Sequence, residues 1–178
     1  MNNTKQKILE ILENRALVID GAMGTQIQTY GVPNESWIYE EQNLEGCNEL
    51  LNLTAPQILH RIHNAYAMSD ADLIKTNTFG SMNWVLDEYG LGHLSYELSK
   101  IGCEIVREIC EKYSTPDKPR FVLASIGPGT KLPSLGHITY DEMFEGYKIM
   151  AQGLRDGGAD VFLIETAQDP LQIKACIH

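Results

Sequence analysis

Val161-Phe162-Leu163-Ile164-Glu165-Thr166 decides the fold: four apolar residues in a row stop at an acid. An unbroken apolar run of that length is what a parallel strand covered on both faces requires. A carboxylate at its carboxyl end sits where α/β folds hold their ligands. Leu17-Val18-Ile19 runs in the same way into Asp20 and the small-residue turn Gly21-Ala22-Met23-Gly24. Two acids at strand ends, beside a turn that can present bare N–H groups, suit a ligand carrying both an ammonium and a carboxylate. The pattern predicts an amino-acid site.

Outward from these two points, strand and helix alternate. Strands are expected near Leu17–Ile19, Ala71–Lys75, Phe121–Ser125 and Val161–Ile164. A helix should follow Thr54, with Thr54 and Gln57 as a capping box, Pro56 in its first turn, and Ile58, Ile62, Ala65 and Tyr66 on its apolar face. Further helices are predicted over Ser81–Tyr89 and Ser95–Tyr113, the latter with Leu98, Ile101, Ile105 and Ile109 as its stripe. Thr139 with Glu142 starts the next, and Asp169 with Pro170 the last. Ser69-Asp70-Ala71-Asp72 and Gly157-Gly158-Ala159-Asp160 echo one another as helix stops that lead into strands, the rhythm of serial βα units. Residues 31–53 read as a long, lid-like first loop, and residues 1–14 as an amphipathic lead-in helix on Ile8, Ile11 and Leu12.

The 178 residues are enough for one domain with a sizeable core. Fourteen basic against 24 acidic residues give a net charge of -10, which disfavours a nucleic-acid or anionic-membrane surface. With neither a signal-like segment nor an 18-residue apolar span, the expected location is the cytoplasm. Cys47, Cys103, Cys110 and Cys176 form no C-x-x-C pair. They read as packing thiols and make no metal site. Four βα units are half of what a (β/α)₈ barrel takes, and the chain stops within its fourth helix. The expectation is a single α/β domain over residues 1–178, either a half-barrel of TIM-barrel type, which the abrupt end favours, or an open four-stranded sheet.

Five phrases carry a resemblance. Asp20-Gly21-Ala22-Met23-Gly24-Thr25, Asn52-Leu53-Thr54-Ala55-Pro56, Thr76-Asn77-Thr78-Phe79-Gly80, Ser125-Ile126-Gly127-Pro128 and Glu165-Thr166-Ala167-Gln168-Asp169-Pro170-Leu171-Gln172 resemble, in order, the homocysteine-binding domain of the homocysteine S-methyltransferases. Gly129-Thr130-Lys131-Leu132-Pro133-Ser134-Leu135-Gly136-His137 looks most like the cobalamin-dependent branch. The resemblance implies a (β/α)₈ barrel in which zinc binds the homocysteine sulfur as thiolate. The methyl group would come from methylcobalamin, recharged by methyltetrahydrofolate on cobalamin-binding and folate-binding domains or subunits. It also implies that the zinc ligands are three cysteines of the barrel's second half, beyond residue 178, so that this chain holds the amino-acid end of the site and has no turnover alone.

On that resemblance Asp20 and Glu165 would bind the ammonium of L-homocysteine, the alternative being an ion pair with Lys75. Gly21 and Ala22 would offer N–H groups to the carboxylate, or form a plain tight turn. Thr76, Asn77 and Thr78 line the mouth or cap the next helix, Ser125 would touch the carboxylate, and Gly127, Pro128 and Gly129 shape a loop. His60 and His63 read as surface or packing residues, and His137 as a loop residue that could meet a cofactor or partner domain. Two competing readings stand beside the transferase: a half-barrel that pairs with a second copy or a complementary half-chain through open strand edges, and a lyase that forms a Schiff base on Lys75.

Overall fold

The computed structural model describes residues 2–178; Met1, the first residue of the expected lead-in helix, lies outside them. The helices are α1 (Asn2–Leu12), α2 (Gly24–Tyr30), α3 (Leu51–Thr54), α4 (Pro56–Met68), α5 (Asn83–Leu86), α6 (Ser95–Tyr113), α7 (Tyr140–Asp156) and α8 (Pro170–Ile177). The strands are β1 (Ile38–Tyr39), β2 (Gln42–Asn43), β3 (Leu73–Lys75), β4 (Phe121–Ile126) and β5 (Val161–Ile164). β3, β4 and β5 form a parallel sheet in that order, with Lys75 opposite Leu123 and Ser125 opposite Leu163.

Side chains alternate across this sheet. Ile74, Val122, Ala124 and Ile126 face the helices, packing with Val106 and Ile109 of α6 and Met143, Met150 and Leu154 of α7. Leu73, Phe121 and Leu123 face the other way, against Leu17, Val161 and Leu163, and α1 closes this inner cluster with Ile8 and Ile11. Leu12, expected on the same stripe, is exposed. The close approach of α7 to α6 depends on Gly153 and Gly157, where any Cβ would run into the carbonyl oxygens of Tyr96 and Lys100.

The echo between the two helix stops is a repeated device. Asp70 and Gly158 both take the left-handed conformation, with φ of 73° and 95°. Two residues on, Asp72 and Asp160 each accept a backbone N–H from the preceding strand position, Val18 and Val122, both at 2.9 Å. Each also holds an arginine: Arg15 grips Asp72 with two 2.7 Å bonds, and Arg107 reaches Asp160 at 2.6 Å.

Several expectations are corrected. Leu17–Ile19 is not a full strand: it makes one parallel bridge, Ile19 to Leu73, and the Asp72 and Leu73 N–H groups both converge on Val18 O. The strand expected from Ala71 starts at Leu73, and the helix expected over Ser81–Tyr89 is α5 followed by a 3₁₀ turn at Asp87–Tyr89. Thr54 caps nothing. Its hydroxyl donates to Ser36 O at 2.7 Å and Leu50 O at 3.2 Å, and Ala55 precedes α4 without a side-chain cap. The buried face of α4 is Ile58, Leu59, Ile62, His63 and Ala67, whereas Ala65 is exposed. Residues 31–53 are structured, with two 3₁₀ turns and the β1–β2 hairpin. The capping boxes at Thr139–Glu142 and Asp169–Gln172 are both made.

Candidate functional site

At the carboxyl ends of β3, β4 and β5 lies a cavity of about 280 Å³. Its walls bring together Lys75, Thr76, Asn77, Ser125 and Glu165 from the strand ends, and Asn48 and Glu49 from a 3₁₀ turn. Met23 and Gly24 line it from the turn that follows Asp20. Leu73 and Lys75, Leu123 and Ser125, and Leu163 and Glu165 are each two residues apart, so the polar member of each pair continues the inner apolar layer upward to the cavity.

Glu165 is held in place: Ser125 Oγ donates to its Oε1 at 2.6 Å. Ser125 is 3% exposed, and its own backbone is fixed on both sides, its N–H to Thr76 Oγ1 at 3.0 Å and its C=O from Thr78 Oγ1 at 2.8 Å. Thr76 and Asn77 cap no helix. Asn77 Nδ2 donates to Asn48 O (2.7 Å) and Asn52 Oδ1 (3.1 Å), and Asn52 returns a bond to Asn77 O (2.9 Å). Their polar groups are largely spent on shaping the cavity.

Asp20 is set back from this lining. Its Oδ2 accepts the Lys75 N–H at 3.0 Å, and its Oδ1 is buried without a partner. Burial pushes its carboxyl up to about 7, against the Lys75 N–H bond and charge that pull it down. The expected ion pair with Lys75 is not formed: among the described residues Lys75 has no carboxylate within 4.0 Å. Nor is Lys75 in the dry apolar pocket that a Schiff-base lysine needs, since it is half-buried beside acids. The N–H groups of Gly21, Ala22 and Met23 have no protein partner among the described residues, and the turn is pinned from behind by Tyr66, whose hydroxyl donates to Ala22 O at 2.7 Å.

Glu49 carries no signal in the sequence. Its Oε1 accepts the Gly80 N–H at 2.7 Å, and burial raises its carboxyl above the usual range. That contact spans 31 residues, so no local motif announces it. His63, read as a surface or packing residue, is wholly buried with neither ring nitrogen bonded. His137 accepts from Leu132 N within its own loop.

No group of three or more His, Cys, Asp or Glu among the described residues is placed to hold a metal. Cys47, Cys103 and Cys110 are buried, and burial pushes each thiol up to about 12. Cys176, half-buried in α8, is raised to about 11. These are thiols kept protonated by their surroundings and do not fit a zinc site.

A parallel α/β sheet with an acid-bearing cavity at its strand ends defines the class. The chain shares its fold with the homocysteine methyltransferase MmuM from Escherichia coli. Against the metallated form the TM-score is 0.75 at 20% identity, over 93% of this chain and 59% of that one. Against the oxidized form it is 0.73 at 21%, over 92% and 57%. The family model for homocysteine S-methyltransferase matches residues 17–178, and the chain belongs to that family. It is 46% identical over 170 residues to methionine synthase of Mycobacterium leprae and 44% identical to that of Mycobacterium tuberculosis, in each case over 96% of this chain. It spans 14% of the length of these relatives. No helix among the described residues is long and apolar enough to cross a membrane.

Proposed function

We propose that this chain is the amino-acid-holding part of a cytoplasmic methionine synthase, an enzyme that methylates L-homocysteine to methionine. The observation that carries the reading is Glu165, fixed by Ser125 in a strand-end cavity of a chain from this family. Residues 1–178 are taken as one unit, half of a (β/α)₈ barrel, with residues 17–20, β3, β4 and β5 as its four strand positions. The ligand ammonium sits at Glu165 and at the unpartnered Oδ1 of Asp20. A buried carboxylate oxygen without a partner is costly, and an ammonium supplies what it lacks. The ligand carboxylate takes the free N–H groups of Gly21 and Ala22, which a turn of small residues leaves open. Ser125, Thr76 and Asn77 hold these groups in position.

The described residues do not fit zinc, so thiol activation is assigned to other parts of the enzyme. Methylcobalamin as donor, and the cobalamin-binding and folate-binding domains or subunits, belong to the same proposal. A second reading, assembly, is favoured by the open edges of the sheet, where Val18, Ile19 and Phe162 are 56%, 46% and 44% exposed. Such edges suit a complementary half-chain or a second copy.

Titration calorimetry with L-homocysteine tests the first reading. Weak binding is expected, lost at least about tenfold in Glu165→Gln and in Asp20→Asn. Binding that survives both substitutions would overturn the ammonium site. Light scattering on the same samples tests assembly, with a monomer at all concentrations counting against it.

A further inference from the structure

Lys75 is left unexplained by the ammonium site, which a lysine lining the same cavity as Glu165 should oppose. Its position is fixed: it ends β3 on the inner face, and its N–H is tied to Asp20 Oδ2. It lines the same cavity as Glu49 and Glu165, and among the described residues it is the one basic residue there. Both acids already have neutral donors, Gly80 N–H for Glu49 and Ser125 Oγ for Glu165, and neither is within ion-pair distance of Lys75. A cation that passes over two nearby acids is available to a third anion. Met23 and Gly24, next to the free N–H groups of Gly21 and Ala22, line the cavity alongside it.

We propose that Lys75 is the specificity-determining residue of the cavity, reading the ligand's carboxylate and thereby selecting amino acids over amines. The inference rests on the amino-acid reading above and adds a residue to it. Glu165 and Asp20 alone make a site for any ammonium compound. Lys75, which ends β3 while Glu165 follows β5 on the other side of β4, changes the preferred ligand to one with opposite charges at its two ends. It acts as a point charge, so an arginine could replace it in charge without reproducing its reach. Its charge complements the ligand end that the backbone N–H groups also meet, which is how a site discriminates among ligands sharing an ammonium.

The test compares L-homocysteine with 3-aminopropane-1-thiol, the same molecule without its carboxylate, by calorimetry on the full chain and on Lys75→Met and Lys75→Arg. Circular dichroism checks the fold of each, and Lys75→Gln replaces any variant that fails. The wild-type chain should prefer the amino acid by about tenfold or more. Lys75→Met should lose about tenfold in affinity for the amino acid while the amine changes less than about twofold, and Lys75→Arg should keep part of the preference. An unchanged ratio in Lys75→Met, with both ligands weakened or both tightened, would overturn the inference and leave the amino-acid site standing. A wild-type chain that binds neither compound would overturn both.

Discussion

Ser125 and Glu165 are joined by a 2.6 Å hydrogen bond across the ends of β4 and β5, and Ser125 is itself clamped through its N–H and C=O by Thr76 and Thr78. The chain of contacts runs from β3 through β4 to the acid on β5. Removing the hydroxyl frees the carboxylate without exposing new apolar surface. Ser125→Ala should therefore weaken homocysteine binding about three- to tenfold and lower unfolding free energy by about 1 kcal/mol. Calorimetry and urea denaturation read the two separately.

Asp20 titrates near 7 in the folded chain against an ordinary value of 3.8. Between those values the folded state holds a proton that the unfolded state has released, so stability falls as pH rises through this window and levels off above 7. Asp20→Asn, which keeps an oxygen for the Lys75 N–H, should be the more stable protein at pH 8 by about 2–4 kcal/mol, with the gap closing near pH 4. Because an ammonium ligand needs the ionised acid, wild-type affinity should drop as pH falls below 7, with proton release on binding.

His63 behaves in the opposite sense. Burial, aided by His60, lowers it to about 3 from 6.5. The unfolded chain takes up a proton below pH 6.5 that the folded chain refuses, so stability is lost as pH falls through that range. At pH 5 the loss is about 2 kcal/mol. His63→Leu should abolish this part of the acid sensitivity, visible as a smaller difference between the urea midpoints at pH 7.5 and pH 5.

Gly153→Ala should destabilise by about 2 kcal/mol or more, since the new methyl group meets the Tyr96 carbonyl and the helices α6 and α7 must separate. Thermal melting checks it, and an exposed control such as Ala65→Ser in α4 should change little.

Thiol titration with a disulfide reagent should find Cys47, Cys103 and Cys110 silent in the native chain and all four cysteines reactive in urea. Fast native reaction of any of the buried three would contradict their high pKa values and packing.

What could be read in the sequence was local. The boxes at Thr139–Glu142 and Asp169–Gln172 close within three residues, so their signals are complete in the chain. Thr54 carries the same signal and is diverted by Ser36 O, a partner 18 residues away. Leu17–Ile19 has the composition of a strand, but pairing is set by a distant segment, and here it comes down to one bridge to Leu73. At the site, the placement of Ser125 and Glu165 at neighbouring strand ends was legible, because each directly follows or closes an apolar run. That Asp20 is set back behind the lining, with one oxygen on the Lys75 N–H, was not, nor was Glu49, because both follow from contacts between distant segments. His63 was obscured by the period of α4, whose buried face is rotated from the one built on Ala65 and Tyr66.

Asp72 and Asp160 at one end of the sheet are matched by arginines, while among the described residues the acids at the other end have no such cations. The same residue class thus does two jobs, sorted by which end of a strand it occupies. A mutant library drawn from positions 20, 49, 75 and 165 would explore ligand preference on an intact scaffold. One drawn from positions 15, 72, 107 and 160 would chiefly yield chains that fail to accumulate in the soluble fraction.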